Sequence, residues 1–297
     1  MSDILVIGSA NMDLVAFADR LPKPGETLLG GAFQSFEGGK GGNQAVAAAR
    51  AGGKVAFLGR IGQDLFGARL RESLQHNGVD TRLLGEVEGA SGVAIIMSGG
   101  GNNMIVVAPG ANDALTADVI DKGAFAGIRF VLAQLEIPLA GVIKAARLAR
   151  EQGAVFILDP APARALPPDL LKNVDWLTPN ESEACLLLGL KELGDPKQAA
   201  RKLKNLGPRG VILKLGGQGA VLLEKDEPVL VPPHTVAVLD TTAAGDAFNG
   251  AFAVALSEAR SPLEAVKFAM AAAAISVTRH GAQPAIASRA EIDGLLG

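Results

Sequence analysis

The chain has 297 residues, 48% of them hydrophobic and 20% charged, with a formal net charge of −3. That is enough apolar material for a large core, and the lack of low-complexity tracts or basic clusters argues against disorder and against nucleic acid as a main partner. A single cysteine, Cys185, excludes an intramolecular disulfide and fits a reducing compartment.

Met1-Ser2-Asp3 runs straight into a strand-like stretch over residues 4–8, with no basic-then-apolar leader. The longest apolar helical stretch, residues 268–277, is mostly alanine and too short to span a bilayer. A cytoplasmic protein with no membrane partner is the expectation. His76, His234 and His280 are scattered without metal-ligand spacing.

Beyond the first strand stand Asn11 and Asp13. An amide and a carboxylate two residues apart at a strand end can bind several hydroxyls of a polyol, or can simply start a turn. Residues 11–36 lack helical periodicity but carry strand-like pieces at 13–18 and 27–36. Then comes Glu37-Gly38-Gly39-Lys40-Gly41-Gly42-Asn43, ahead of a helix over 44–51. Its glycines let a ligand approach the backbone, but the spacing is neither that of a Walker A loop nor that of a dinucleotide fingerprint. A plain turn is the alternative, although Lys40 and Asn43 favour a polar ligand.

A strand over 55–58 and a helix over 66–77 follow. Residues 92–108 read as a hairpin, with strands at 93–98 and 104–108 around the turn 99–103. With the earlier strand-like pieces this makes a small sheet of two segments, 11–37 and 91–109, either a lid over the strand ends or a mere extension. A small sheet cannot bury both faces alone, so its apolar face is expected to pack on something, for example a second subunit.

Strands over 130–134, 155–158, 175–177 and 211–215 then alternate with helices over 140–152, 181–188 and 197–206. This pattern predicts one α/β domain with a parallel sheet covered by helices on both faces, and ligands beyond the carboxyl ends of the strands. Several polar groups fall at those ends. Glu136 closes a buried-looking strand, where an ionised group is costly without a partner. Asn180 and Glu183 have capping-box spacing, and can alternatively organise metal-bound water near a triphosphate. Lys214-Leu215-Gly216-Gly217-Gln218-Gly219 joins two strands as a hairpin turn or as a nucleotide loop.

Near the C-terminus, Asp240-Thr241-Thr242-Ala243-Ala244-Gly245-Asp246-Ala247-Phe248-Asn249 sets a run of small residues and one carboxylate at the start of an apolar helix. Small residues leave first-turn N–H groups bare, and with the helix dipole these make an anion site. A base beside an anion hole is what phosphoryl transfer to a hydroxyl requires. Helices after Pro262 and after Ser288 end the chain.

Taken together, these segments resemble the ribokinase-like (PfkB) carbohydrate kinase family over nearly the whole length. The resemblance rests on residues 8–13, 38–49 and 134–136, on Asp159-Pro160-Ala161-Pro162-Ala163-Arg164 (where the family has Asn first), on 178–181, on 240–249 and on 277–284. It implies a three-layer αβα sandwich with a mainly parallel central sheet and a small β-sheet lid. The implied activity is ATP-dependent phosphorylation of O5 of D-ribose, with another furanose or a nucleoside (deoxyribose, fructose, adenosine, pseudouridine) or a non-catalytic sensor as alternatives. By the same resemblance Asp246 is the base and Ala243, Ala244 and Gly245 form the anion hole. Asn11, Asp13, Gly39, Lys40, Gly41, Gly42, Asn43 and Glu136 bind sugar, while Asn180, Lys214, Gly216, Gly217, Gln218, Gly219, Gly245 and Met270 contact ATP.

Glu183 would act on Mg²⁺ through water. Asp240, Thr242, Ser276, Arg279, Gly281 and Ala285 match a potassium site built largely of backbone carbonyls, and a homodimer through the lid is implied. Three positions depart from the pattern: Ala285 replaces a serine ligand, Lys214 a threonine, and Met270 a histidine that some relatives place against adenine. Few basic residues surround the lid segments, which disfavours an already phosphorylated sugar as acceptor.

Overall fold

The computed structural model describes residues 2–297. The first apolar run is β1 (Ile4–Ile7); the chain then leaves the main sheet for β2 (Asn11–Ala18) and β3 (Phe33–Gly38) before entering α1 (Lys40–Arg50). It returns through β4 (Val55–Gly62), α2 (Leu65–His76) and β5 (Leu84–Val87), then departs again for the hairpin β6 (Gly92–Gly99) and β7 (Asn102–Ala108). From β8 (Phe130–Ala133) strands and helices alternate through α3 (Leu139–Glu151), β9 (Val155–Leu158), α4 (Pro168–Leu171), β10 (Trp176–Leu177), α5 (Glu181–Leu188), α6 (Pro196–Lys204) and β11 (Gly210–Lys214). β12 (Ala220–Leu223) and β13 (Val229–Val231) close the sheet. Helices α7 (Ala244–Ser257), α8 (Pro262–Ser276) and α9 (Arg289–Leu296) end the chain.

The main sheet has nine strands in the order β13-β12-β11-β10-β9-β8-β1-β4-β5, parallel from β5 to β11 and antiparallel where β12 pairs with β11 and β13. Its central strands β1, β8 and β9 are apolar throughout because both faces are covered. Ile4, Val6 and Phe57 pack with α1, α7 and α8 on one side, while Leu5, Ile7 and Leu58 pack with α3, α5 and α6 on the other. The result is the expected three-layer αβα sandwich.

The second sheet has the order β3-β2-β6-β7, with β2 parallel to β6 and antiparallel to β3. Its outer strand β7 is exposed along its whole length.

Two boundaries differ from the sequence reading for identifiable reasons. The helix expected at 44 begins at Lys40, so Gly41 and Gly42 are helical rather than part of a loop. Glycine is a poor helix former, but a Cβ on Gly41 would lie 2.6 Å from the Ser9 nitrogen, so only a bare backbone lets α1 approach the end of β1. The strand-like piece over 27–36 pairs only from Phe33 onward. Ahead of it Gly31 donates its N–H to the Phe17 carbonyl at 2.7 Å, which ends the ladder.

Candidate active site

The carboxyl ends of β9, β10 and β11 meet the N-termini of α1, α5 and α7 around a cleft of about 810 Å³, and the ends of β1 and β8 lie beside it, joined through Glu136 to Ser9 and to the Lys40 N–H. Asp246 sits in the first turn of α7, 5% exposed, inside rather than just ahead of the helix. Its Oδ2 accepts from Asn43 Nδ2 at 3.0 Å and its Oδ1 from Gln44 Nε2 at 2.9 Å. Both donors come from α1, which lies against α7 because Gly250 has no side chain: a Cβ there would stand 2.6 Å from the Ala47 Cβ. Burial pushes the Asp246 carboxyl up to about 6, against the pull of Lys40 and of the two amide hydrogen bonds.

Ala243 precedes the helix in the left-handed region, φ 58°, a conformation that strains any residue with a Cβ by roughly 1–3 kcal/mol. No side chain caps the first turn of α7. Among the three N–H groups expected to form the anion hole, that of Ala244 already reaches the Thr241 carbonyl at 3.3 Å. Asp240 fixes the approach to this turn by accepting from Thr242 N and Oγ1 and from Gly281 N.

The other expected acceptor-side groups gather beside Asp246. Glu136 Oε2 accepts from Ser9 Oγ at 2.6 Å, from Lys40 N at 3.0 Å and from Asn11 Nδ2 at 3.4 Å. The α1 N-terminus is therefore already satisfied by Glu136 and Ser9, so Gly41 and Gly42 bring backbone close rather than offer bare donors. Asp13, on β2, lies against Gly38, whose Cβ would fall 2.3 Å from Asp13 Oδ2. Among the described residues no protein donor reaches its carboxylate. Burial, with repulsion from Glu136 and Asp246, pushes Asp13 up to about 7. Burial disfavours charge on Lys40, but Asp246, Asp159, Glu136 and Glu183 hold it charged above the ordinary lysine range.

On the nucleotide side, Asn180 and Glu183 make the capping box in full: Asn180 Oδ1 accepts from Glu183 N at 2.9 Å and Glu183 Oε2 from Asn180 N at 2.8 Å. The capping reading holds, and the Glu183 carboxyl also lines the cleft, raised by burial and by Asp159. Lys214, Gly216, Gly217, Gly219 and Met270 line the same cleft; Gln218 does not.

Five contributors escaped the sequence reading, beginning with Ser9, which donates to Glu136. Gln44 joins Asp246 to Asp159 Oδ2 at 2.9 Å and accepts from Gln134 Nε2 at 2.6 Å. Asp159 in turn pairs with Lys214 at 3.2 Å. Asn112 Nδ2 holds Asn11 Oδ1 at 2.7 Å. Glutamines at a helix start and at the end of a buried strand, in otherwise apolar surroundings, were a usable signal. Asn112, in a loop far along the chain, left none.

A buried carboxylate at an uncapped helix N-terminus, between a cluster of polar side chains and a nucleotide-sized cleft on a doubly covered parallel sheet, defines an α/β phosphotransferase. More narrowly, the chain belongs to the pfkB family of carbohydrate kinases, whose model matches residues 1–289. It is similar to the ribokinase of Haemophilus influenzae, 42% identical over 97% of this chain and 96% of that protein. Among solved structures it resembles the ribokinase of Thermotoga maritima, with a TM-score of 0.92 at 40% identity over 100% of this chain and 99% of that one. The Arabidopsis thaliana ribokinase complexed with ribose and ATP is equally close in shape, TM-score 0.92 at 34% identity, covering 99% of this chain and 98% of that one.

Proposed function

We propose that this protein transfers the γ-phosphoryl group of ATP to O5 of D-ribose. The observation that carries this reading is the seat of Asp246, buried and held at both oxygens where the acceptor-side carboxylates adjoin the nucleotide cleft. Asp246 takes the proton of the attacking hydroxyl as the O–P bond forms. The exposed N–H groups of the first α7 turn hold the charge gathering on the phosphoryl oxygens. Asp13, Asn11, Glu136 and the α1 start with Lys40 and Asn43 orient the sugar hydroxyls. The 214–219 turn with Asn180 and Met270 receives the nucleotide, Met270 packing its thioether on the base in place of a ring. That a ribokinase with 34% identity is complexed with ribose and ATP supports the choice of substrates.

Mg²⁺ fits this site as a companion of the triphosphate. Among the described residues no three acidic, His or Cys groups converge to hold a metal, so phosphate oxygens would carry it, with Glu183 acting through water. A potassium ion fits the loops held together by Asp240: the carbonyls of Asp240, Thr242, Arg279 and Gly281 accept no backbone hydrogen bond among the described residues, while that of Ser276 is shared with Arg279 N. Buried Ala285 offers only its carbonyl. An ion there would add positive charge behind the turn that carries Ala243 to Gly245.

The small sheet serves as a lid of this single domain, and Ile95 and Val106, paired on the face opposite Asp13 and each more than half exposed, suit a homodimer contact. Among the described residues no helix is long and apolar enough to cross a membrane. Coupled ADP-release assays with ribose, deoxyribose, fructose, adenosine and pseudouridine, each in sodium and in potassium, test the reading. Ribose should give the highest kcat/KM; no turnover with any acceptor would overturn it.

A further inference from the structure

The Lys214–Asp159 ion pair is buried at the heart of the cleft, with the two side chains 14% and 3% exposed. Two charges are costly to take out of water, so a pair in this position calls for an explanation. Asp159 has a partner on each oxygen: Oδ1 faces Lys214 Nζ at 3.2 Å and Oδ2 accepts from Gln44 at 2.9 Å. Lys214 has donors to spare. An ammonium has three donors, and among the described residues Asp159 is its one acceptor.

The remaining donors stand over the anion turn, since a Cβ on Gly245 would come within 3.3 Å of Lys214 Nζ. The backbone that carries this side chain is fixed, because Lys214 donates its N–H to the Pro179 carbonyl at 2.8 Å and bridges to Asn180. Asp159 is also tied through the single Gln44 amide to Asp246.

The geometry points to Lys214 as a catalytic cation that meets the phosphoryl group in transit, and to Asp159 as the residue that positions it and locks it in register with the base. This rests on the phosphoryl-transfer reading above and deepens it. The carboxylate keeps the ammonium from collapsing onto Asp246 in the empty site. When phosphoryl oxygens arrive, the two spare donors bind them without breaking the pair. A compact ammonium suits this as a point charge against oxygens whose charge is spread out.

The test compares Lys214→Met, Lys214→Arg, Asp159→Asn and the neutral double variant Asp159→Asn/Lys214→Met. Two quantities are read: steady-state constants for ATP and ribose, and the affinity for ADP with Mg²⁺ and ribose, with and without aluminium fluoride as a mimic of the phosphoryl group in flight. Lys214→Met should lower kcat about 10²-fold, leave the KM for ribose unchanged and abolish the tightening of ADP by aluminium fluoride. Lys214→Arg should restore part of both. Asp159→Asn should lose roughly 10-fold in kcat.

The double variant, which leaves no uncompensated buried charge and so guards against misfolding, should stay as slow as Lys214→Met. Wild-type turnover in the double variant would reduce the pair to mutual neutralisation and overturn the inference. If the wild type phosphorylates no ribose, the functional reading fails separately, and the aluminium fluoride comparison still decides the part played by Lys214.

Discussion

The two walls of the cleft are built in opposite ways. The wall formed by α1 and α7 satisfies its central carboxylate internally: Asp246 has an amide on each oxygen and is pushed up only to about 6. The wall formed by the small sheet leaves Asp13 half-buried, without a protein donor among the described residues, and pushed up to about 7. One carboxylate is pre-organised before any ligand arrives; the other is held ready for a partner that the protein does not supply. A base must be fixed in place to act, whereas a binding group gains most when its best hydrogen bonds are those the ligand brings.

The sharpest way to break this contrast is Asp246→Asn, which removes the base and keeps an acceptor for one of the two amide donors of α1. Turnover should fall by ~10²–10⁴-fold while calorimetry still detects ribose and ATP binding; retained turnover would remove Asp246 from its role. Asp13→Asn should act on the other wall alone. A lost charge-assisted hydrogen bond of about 1.5–3 kcal/mol should raise the KM for ribose far more than that for ATP, and equal effects would take Asp13 out of the sugar pocket.

The same variant sharpens the comparison in the absence of ligand. Asp13 and Asp246 hold protons in the fold up to about 7 and about 6, whereas the unfolded chain releases them near 3.8. Their contribution to stability therefore falls as pH rises from about 4 to 7. Asp13→Asn should flatten part of that slope and raise unfolding stability at pH 7.5 by on the order of 1–3 kcal/mol, measured by denaturant melts at several pH values.

Gly250→Val tests what brings the first wall together. Its side chain would drive α7 from α1, costing about 1–3 kcal/mol and lowering kcat with little change in either KM. The smallest effect on stability belongs to the outer face of the small sheet. Val106→Glu, at an exposed position on the face opposite Asp13, should shift a melt by less than ~0.5 kcal/mol yet give a smaller species by light scattering if that face joins two copies.

Much of the fold was legible because it is written in local patterns. Apolar runs of strand length alternating with amphipathic helices mark a doubly covered parallel sheet, and the run of small residues before Asp246 marks a bare helix start. The Asn180–Glu183 spacing likewise gave its capping box in full. The amide bridge from Asp246 through Gln44 to Asp159 was not legible, since its ends are 202 and 115 residues from Gln44. The start of α1 was misjudged because Gly41 and Gly42 obey packing against Ser9 rather than helix propensity.

By itself, then, the sequence determined the layered architecture, the candidate base and its helix, and a chemistry of sugar, phosphate and nucleotide, because periodicity, caps and small-residue runs act over a few neighbouring positions. The tertiary structure alone decided which polar groups are spent and which are left to bind: Glu136 and Ser9 occupy the α1 donors, Asp13 stands without a donor, and Lys214 finds Asp159 across the sheet. Those outcomes depend on burial and on partners far apart in the chain, and the energy of a buried charge is set by what surrounds it in space.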